Sequence, residues 1–324
     1  MRPNARAYVR HSIFFVVTFC TMLIGGVLQP FGILPLFGHV DPNETTTQFL
    51  LNFPWHYARM IGDTVNLLIN DPFVRSYGLK FTLSLSFILM SHEMGHYIAC
   101  RIYGVDATLP YFIPTPPMIG AGTFGAFIKI TSQLPSRRAT FDIGVAGPIA
   151  GFVALIPVAI LAFTTLEQVG PEFPRELPEG SFVFGDPLLF HFFANVLDID
   201  LTVPILANPF YSAAWIGLLV TALNLIPSSQ LDGGHAVYAV FGERAHYFIS
   251  RAALIAMMIV TAAGLYFYNS PSGILFVALL SFLLRFRHPT PLDDTPLDQS
   301  RLLIAVITLI IFLLSFTPVP IRIT

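Results

Sequence analysis

The sequence predicts an all-α polytopic membrane protein of six to seven transmembrane helices, with a small re-entrant β-hairpin beside its polar motifs. Three observations lead there. Of 324 residues, 54% are hydrophobic and only 11% are charged, and the mean hydropathy is +0.70, a balance typical of integral membrane proteins. The apolar residues gather into runs near the roughly 20 residues that cross a bilayer as helix. One stretch, "AGTFGAFIKITSQL" at 121–134, alternates loosely and is rich in β-formers, so it reads as a hairpin.

Spans are expected at about 12–34, 80–102, 140–164, 211–228, 246–268, 272–286 and 302–319. The sixth is short and can pair with the fifth as a tight helical hairpin through "YNSPSG", which makes six an alternative count. The basic start and apolar run of the N-terminus resemble a signal peptide. No small-residue cleavage site follows a short core, so the reading is a retained first helix.

Arg2, Arg6 and Arg10 precede the first span, Arg101, Lys129, Arg137 and Arg138 surround the loop after the second, and Arg285 and Arg287 follow the sixth. With alternating spans these fall on one side, which is then cytoplasmic. Residues 35–79 and 165–210 go to the opposite side; the second segment, rich in Pro and acidic residues, is expected to fold back on the membrane surface. This divides the chain into 1–79 (first helix and extracytoplasmic loop), 80–245 (membrane core) and 246–324 (C-terminal helices). A net charge of −2 without a long basic run gives no sign of nucleic acid. Cys20 and Cys100 both lie in apolar runs, so no disulfide framework is expected.

Against this background "HEMGH" stands out, because His92, Glu93 and His96 are costly in hydrocarbon. On a helix, positions i and i+4 share a face, so both histidines can aim a ring nitrogen at one metal ion. Glu93 is then placed to reach a water on that metal without being a ligand. This is the arrangement in which zinc polarises water and a carboxylate takes its proton. A third ligand is needed, and Asp232 in "NLIPSSQLDGGH" (224–235) is the first choice, since both motifs sit toward the cytoplasmic ends of their spans. Cys100, one turn beyond His96, and His235, three beyond Asp232, are rivals. Asp232 also reads as part of an ordinary turn, with Gly233 and Gly234 supplying positive φ.

The pair "HEMGH" and "NLIPSSQLDGGH", with "GAGTFGAFIKI" and "FDIGVAGPIAGF" between them, resembles the site-2 protease family of intramembrane zinc metalloproteases over roughly residues 80–245. The resemblance implies one Zn²⁺ on His92, His96 and Asp232, Glu93 as general base and then acid, and Asn224 as a catalytic amide that steadies substrate or oxyanion. It implies regulated intramembrane proteolysis of a transmembrane protein substrate in a lipid bilayer, with a prior cut by another protease left open. No stretch has room for a PDZ domain, and the C-terminus has none for a nucleotide-sensing domain, so the chain looks like a minimal type. The expected host is a bacterial cytoplasmic membrane, with a plastid membrane second.

Other segments fit around this. The 121–134 hairpin is expected to offer an edge to an unwound substrate. Gly144, Gly147 and Gly151 form a small-residue face for close helix packing, with the His-bearing helix as the expected partner. Pro114, Pro116 and Pro117 should turn the chain back toward the membrane, and Asp142 reads as an N-cap or first-turn acid. A metal-ion or proton transporter, or a zinc peptidase acting on soluble or lipidated peptides, are the alternatives. A transporter would spread polar groups along the membrane depth, whereas here they cluster in two motifs.

Overall fold

The computed structural model describes residues 5–41, 43–167, 181–201, 205–286 and 288–323. Arg2, Arg287 and parts of the 165–210 loop therefore lie outside the described residues, and the readings given to them rest on sequence alone. In chain order the described elements are α1 (Ala5–Gly25), α2 (Thr46–Asn70), α3 (Pro72–Ile102), β1 (Tyr111–Pro114), β2 (Thr123–Phe127), α4 (Arg137–Thr164), β3 (Phe182–Phe184), α5 (Leu188–Val196), α6 (Pro209–Leu225), α7 (Asp232–Tyr268), α8 (Ser272–Leu283), α9 (Gln299–Ser315) and β4 (Ile321–Ile323). The protein is mostly helical, with two small antiparallel sheets among the described residues, β1–β2 and β3–β4.

Three described helices, α1, α4 and α7, are long and apolar enough to cross a membrane; α6, α8 and α9 are apolar but shorter. Large apolar side chains such as Phe248, Ile259 and Phe267 on α7 and Leu303, Val306 and Leu309 on α9 face outward, as they would toward lipid rather than water.

The core is built where α3, α4 and α6 meet. Phe81, Leu85, Ile88 and Leu89 of α3 pack with Leu155, Val158 and Ala159 of α4 and with Ala213, Ala214 and Leu218 of α6. Small residues let these helices approach closely: a Cβ on Gly95 would stand 2.4 Å from the Ala146 carbonyl oxygen. The expected packing of the Gly144–Gly147–Gly151 face against the His-bearing helix is what the structure has, with Gly147 against His96 and Gly151 against His92.

Local signals set the helix starts. Asp71 accepts bonds from the Phe73 and Val74 amides and Pro72 opens α3, the usual pairing of an acidic cap with a proline that has no N–H to lose. Ser136 caps α4, Asn208 caps α6 and Asp298 caps α9.

Several expectations need correction. The first span was expected to run to 34, but α1 stops at Gly25 and the chain folds into a turn closed by a Leu28–Leu34 bridge. Pro30 cannot continue a helix, and Gly26 lies so close to the Phe81 ring that a Cβ there would be 2.0 Å away. Residues 35–79 are not simply loop: they hold α2, whose Thr45–Gln48 capping box is a helix-start signal visible in the sequence. The hairpin is also shifted. Its strands are 111–114 and 123–127, with Pro114 pairing with Thr123, so the proline-rich segment supplies a strand, and beyond Phe127 only isolated pairing such as Ala107–Ile130 continues. Asp142 is neither cap nor first-turn acid; it lies in the second turn of α4 and binds Arg301 and Tyr103.

Candidate metal centre

His92, Glu93 and His96 sit in the C-terminal third of α3, two to three turns before its end at Ile102, and all three are buried. The Nε2 atoms of His92 and His96 are 3.2 Å apart. Asp232, the first residue of α7, brings its Oδ2 to 3.3 Å from each of them. These three are the only group of metal-ligating side chains among the described residues whose donor atoms all fall within 4.8 Å of one another.

The spacing can be tested against an ion. Ligands at 2.0–2.2 Å on a tetrahedron stand about 3.3–3.6 Å apart, and the observed edges of 3.2, 3.3 and 3.3 Å lie at the short end of that range within coordination tolerance. The donor chemistry agrees. His96 Nδ1 is 2.6 Å from the Ile143 carbonyl oxygen, which can only accept, so Nδ1 carries the proton and Nε2 presents its lone pair inward. Two imidazoles, that of His96 with its lone pair inward, and a carboxylate converging on one point suit a cation.

The glycines of "LDGG" work differently from the turn expected of them. Neither has positive φ; both belong to α7. A Cβ on Gly233 would be 2.1 Å from the Leu225 carbonyl oxygen, and one on Gly234 2.4 Å from that of Ser229. They let the start of α7 settle onto the end of α6, which is what delivers Asp232 to α3.

A cavity of about 220 Å³ opens on this centre. Its lining includes Glu93, Asn224, His235 and the strand segment Ala126, Phe127 and Ile128. Ile128 lines the cavity beside Glu93, and Asn224 Nδ2 lies 3.3 Å from His92 Nε2. All five sequence-predicted site residues, His92, Glu93, His96, Asn224 and Asp232, are thus brought together. The rivals are not in the donor set. Cys100 is fully buried among Ala99, Val105, Leu134, Ala139 and Ile143. His235 lines the cavity, but its Nδ1 is engaged 2.7 Å from His288 Nε2. Sequence reasoning missed His288 because it lies 53 residues away with no motif around it.

A mostly apolar helical bundle whose inner helices bring two imidazoles and a carboxylate within 3.3 Å of one another defines the class: a helical fold with a group of side chains fit to hold one metal ion. The match to a family model is consistent with it, covering residues 80–267 with Peptidase family M50. The chain belongs to this family, that of the site-2 proteases. Among curated proteins it is 34% identical over 178 residues to "Probable zinc metalloprotease EGY1, chloroplastic" of Arabidopsis thaliana, covering 54% of this chain and 31% of that protein. It is 27% identical over 299 residues to "Probable zinc metalloprotease EGY2, chloroplastic" of the same plant, covering 91% and 49%. The rice EGY1 protein, Oryza sativa subsp. japonica, is 29% identical over 248 residues, covering 74% and 38%. The chain therefore spans about a third to a half of the length of these relatives.

Proposed function

We propose that this chain is an intramembrane zinc metalloprotease, hydrolysing peptide bonds within or near the transmembrane segments of membrane protein substrates. The observation that carries this reading is the convergence of His92, His96 and Asp232 at 3.2–3.3 Å, with Glu93 in the same cavity. The names of the relatives support zinc as the ion. Catalytic work is assigned to residues 80–245, which fall inside the matched segment.

His92 Nε2, His96 Nε2 and an Asp232 oxygen would hold the ion, which when bound supplies a Lewis acid that polarises water and the scissile carbonyl. The Glu93 carboxylate takes the proton of the attacking water and passes it to the nitrogen of the departing amine. Asn224 donates from its amide to the carbonyl oxygen as that oxygen gains charge.

A substrate helix hides its peptide bonds in its own hydrogen bonds, so it must unwind first. Among the described residues β2 is paired on one side only, with β1, and Ala126 and Phe127 of β2 line the cavity. An extended substrate segment adding to that edge would lie beside Glu93. Re-entry of this hairpin into the membrane, six to seven spans in all, and a site on the side carrying Arg101, Lys129 and Arg138 complete the proposal. The chloroplastic relatives fit a plastid membrane and lend the bacterial assignment no support.

The test uses detergent-purified protein, elemental analysis and a panel of single-span peptides. Glu93→Gln should retain zinc while cleavage falls by about 10²–10⁴-fold, the usual weight of a general base. Asp232→Ala should lose both. Cleavage by Glu93→Gln at the wild-type rate would refute the assignment, and a zinc-free wild type that moves ions across vesicles would establish transport instead.

A further inference from the structure

Although α7 runs from Asp232 to Tyr268, it is not continuous: Gly242, at φ 82 and ψ 175, breaks it. The Asp232 carboxylate therefore rides on a short helix, 232–241, whose direction is not fixed by the long remainder. Beyond the seating of Gly233 and Gly234 on α6, two side chains remote in sequence hold it.

Arg137, at the start of α4, is buried. Its Nε donates to the Ala239 carbonyl at 2.6 Å and its Nη2 to the Val240 carbonyl at 3.2 Å. Both carbonyls lie in the last turn before the break, where regular amide partners run out. A cation there and the Asp232 anion at the opposite end both complement the helix dipole.

His288 grips the same helix from another side. Its Nδ1 faces the Pro289 carbonyl at 2.8 Å, which can only accept, so in the neutral ring Nε2 is an acceptor and receives the proton of His235 Nδ1 at 2.7 Å. Its ring stacks on Tyr238 at 4.1 Å with an interplanar angle of 9°. His235 and Tyr238 both belong to 232–241.

These two grips share one anchor, the strand-like strap that joins α8 to α9. Leu292 and Asp293 donate to the Leu134 and Pro135 carbonyls, the Arg137 amide donates to the Asp293 carbonyl at 2.8 Å, and the Arg137 guanidinium lies 3.7 Å from the Asp294 carboxylate. We infer that Arg137 and His288 are positioning residues, a clamp that holds the 232–241 helix so that Asp232 stays in register with His92 and His96. The inference rests on the metal reading above and adds to it the residues that set the third ligand. Neither side chain touches the reacting atoms; each acts through the helix it holds.

The experiment measures zinc affinity of the full-length protein in detergent by competition with a chromophoric chelator, alongside melting temperature. Partners of this kind carry about 10–100-fold in metal affinity, so Arg137→Gln and His288→Ala should each weaken zinc by at least about 10-fold. Arg137→Lys should recover part of the loss, because an ammonium can still donate to one of the two carbonyls. Arg301→Gln is the control. Arg301 ties Tyr103, Asp142 and Asp298 on the same face without touching 232–241, so it should lower the melting temperature and keep wild-type affinity. If Arg137→Gln does not fold, Arg137→Lys and His288→Ala decide. Folded Arg137 and His288 variants with wild-type affinity, beside a weakened Asp232→Ala, would overturn the clamp alone, as would an equal loss in Arg301→Gln. Wild-type affinity in Asp232→Ala would overturn the metal reading beneath it.

Discussion

Gly147→Ala should empty the metal centre by moving one ligand. A Cβ at 147 would stand 2.0 Å from His96 Nε2, 2.4 Å from Cδ2 and 2.5 Å from Cε1, against 3.4 Å or more in ordinary van der Waals contact. The shortfall of about 1.4 Å is several times the roughly 0.2 Å that a metal–ligand bond tolerates. The ring has no free direction in which to absorb it. Its Nδ1 is tied to the Ile143 carbonyl at 2.6 Å, and α3 and α4 already meet backbone to backbone where Gly95 faces Ala146. Either the imidazole leaves its position or the helices part, and overpacking of this kind costs about 1–3 kcal/mol in a well-packed core. Gly151→Ala provides the comparison, since its Cβ would meet His92 Cβ at 3.1 Å and Nδ1 at 3.2 Å, a misfit of a few tenths of an ångström. Zinc per chain after dialysis, read with cleavage of a single-span peptide, should fall to background in Gly147→Ala and stay near wild type in Gly151→Ala. Full zinc and undiminished cleavage in Gly147→Ala, or equal damage in both, would refute the reasoning.

Two further outcomes are expected. Pro at Ala126 or at Phe127, tested separately, should slow cleavage without reducing bound zinc where the lost N–H faces the open edge of β2; unchanged rates in both would remove strand pairing from the proposal. On the far side of the bundle His39, His56 and Glu44 form a chain, with 3.3 Å between His39 Nε2 and His56 Nδ1 and 3.2 Å between His56 Nε2 and Glu44 Oε1. Burial, then the nearby Arg59 charge, hold His39 below its ordinary 6.5, and bonds from Asn52 and His56 hold Glu44 below its ordinary 4.5. In both cases the unfolded segment binds more protons as pH falls through the ordinary value, so acid removes stability, first below about 6.5 and then below about 4.5. Amide exchange in residues 39–60 should quicken in those two steps, with the first missing in His39→Gln; pH-independent protection would contradict it.

What the sequence determined by itself was the local chemistry. His92, Glu93 and His96 are read from a fixed spacing because a helix puts i and i+4 on one face whatever surrounds it. The small-residue face at Gly144, Gly147 and Gly151 was equally available, whereas the caps at Asp71 and Ser136 were passed over and Asp142 was read as one instead. The Thr45–Gln48 box was available too, and reading residues 35–79 as loop passed over it. The tertiary structure decided what depends on long-range approach. It chose Asp232 over Cys100 and His235, because only the close seating of Gly233 and Gly234 on the end of α6 brings that carboxylate to both imidazoles. It shifted the hairpin onto the proline-bearing strand 111–114, with the chain turning back after Pro114 as the prolines required. It also brought Arg137 and His288 onto the Asp232 helix, from positions that no periodicity connects: the Ala239 and Val240 carbonyls freed by one glycine break need donors, and Arg137 supplies them from 102 and 103 residues away.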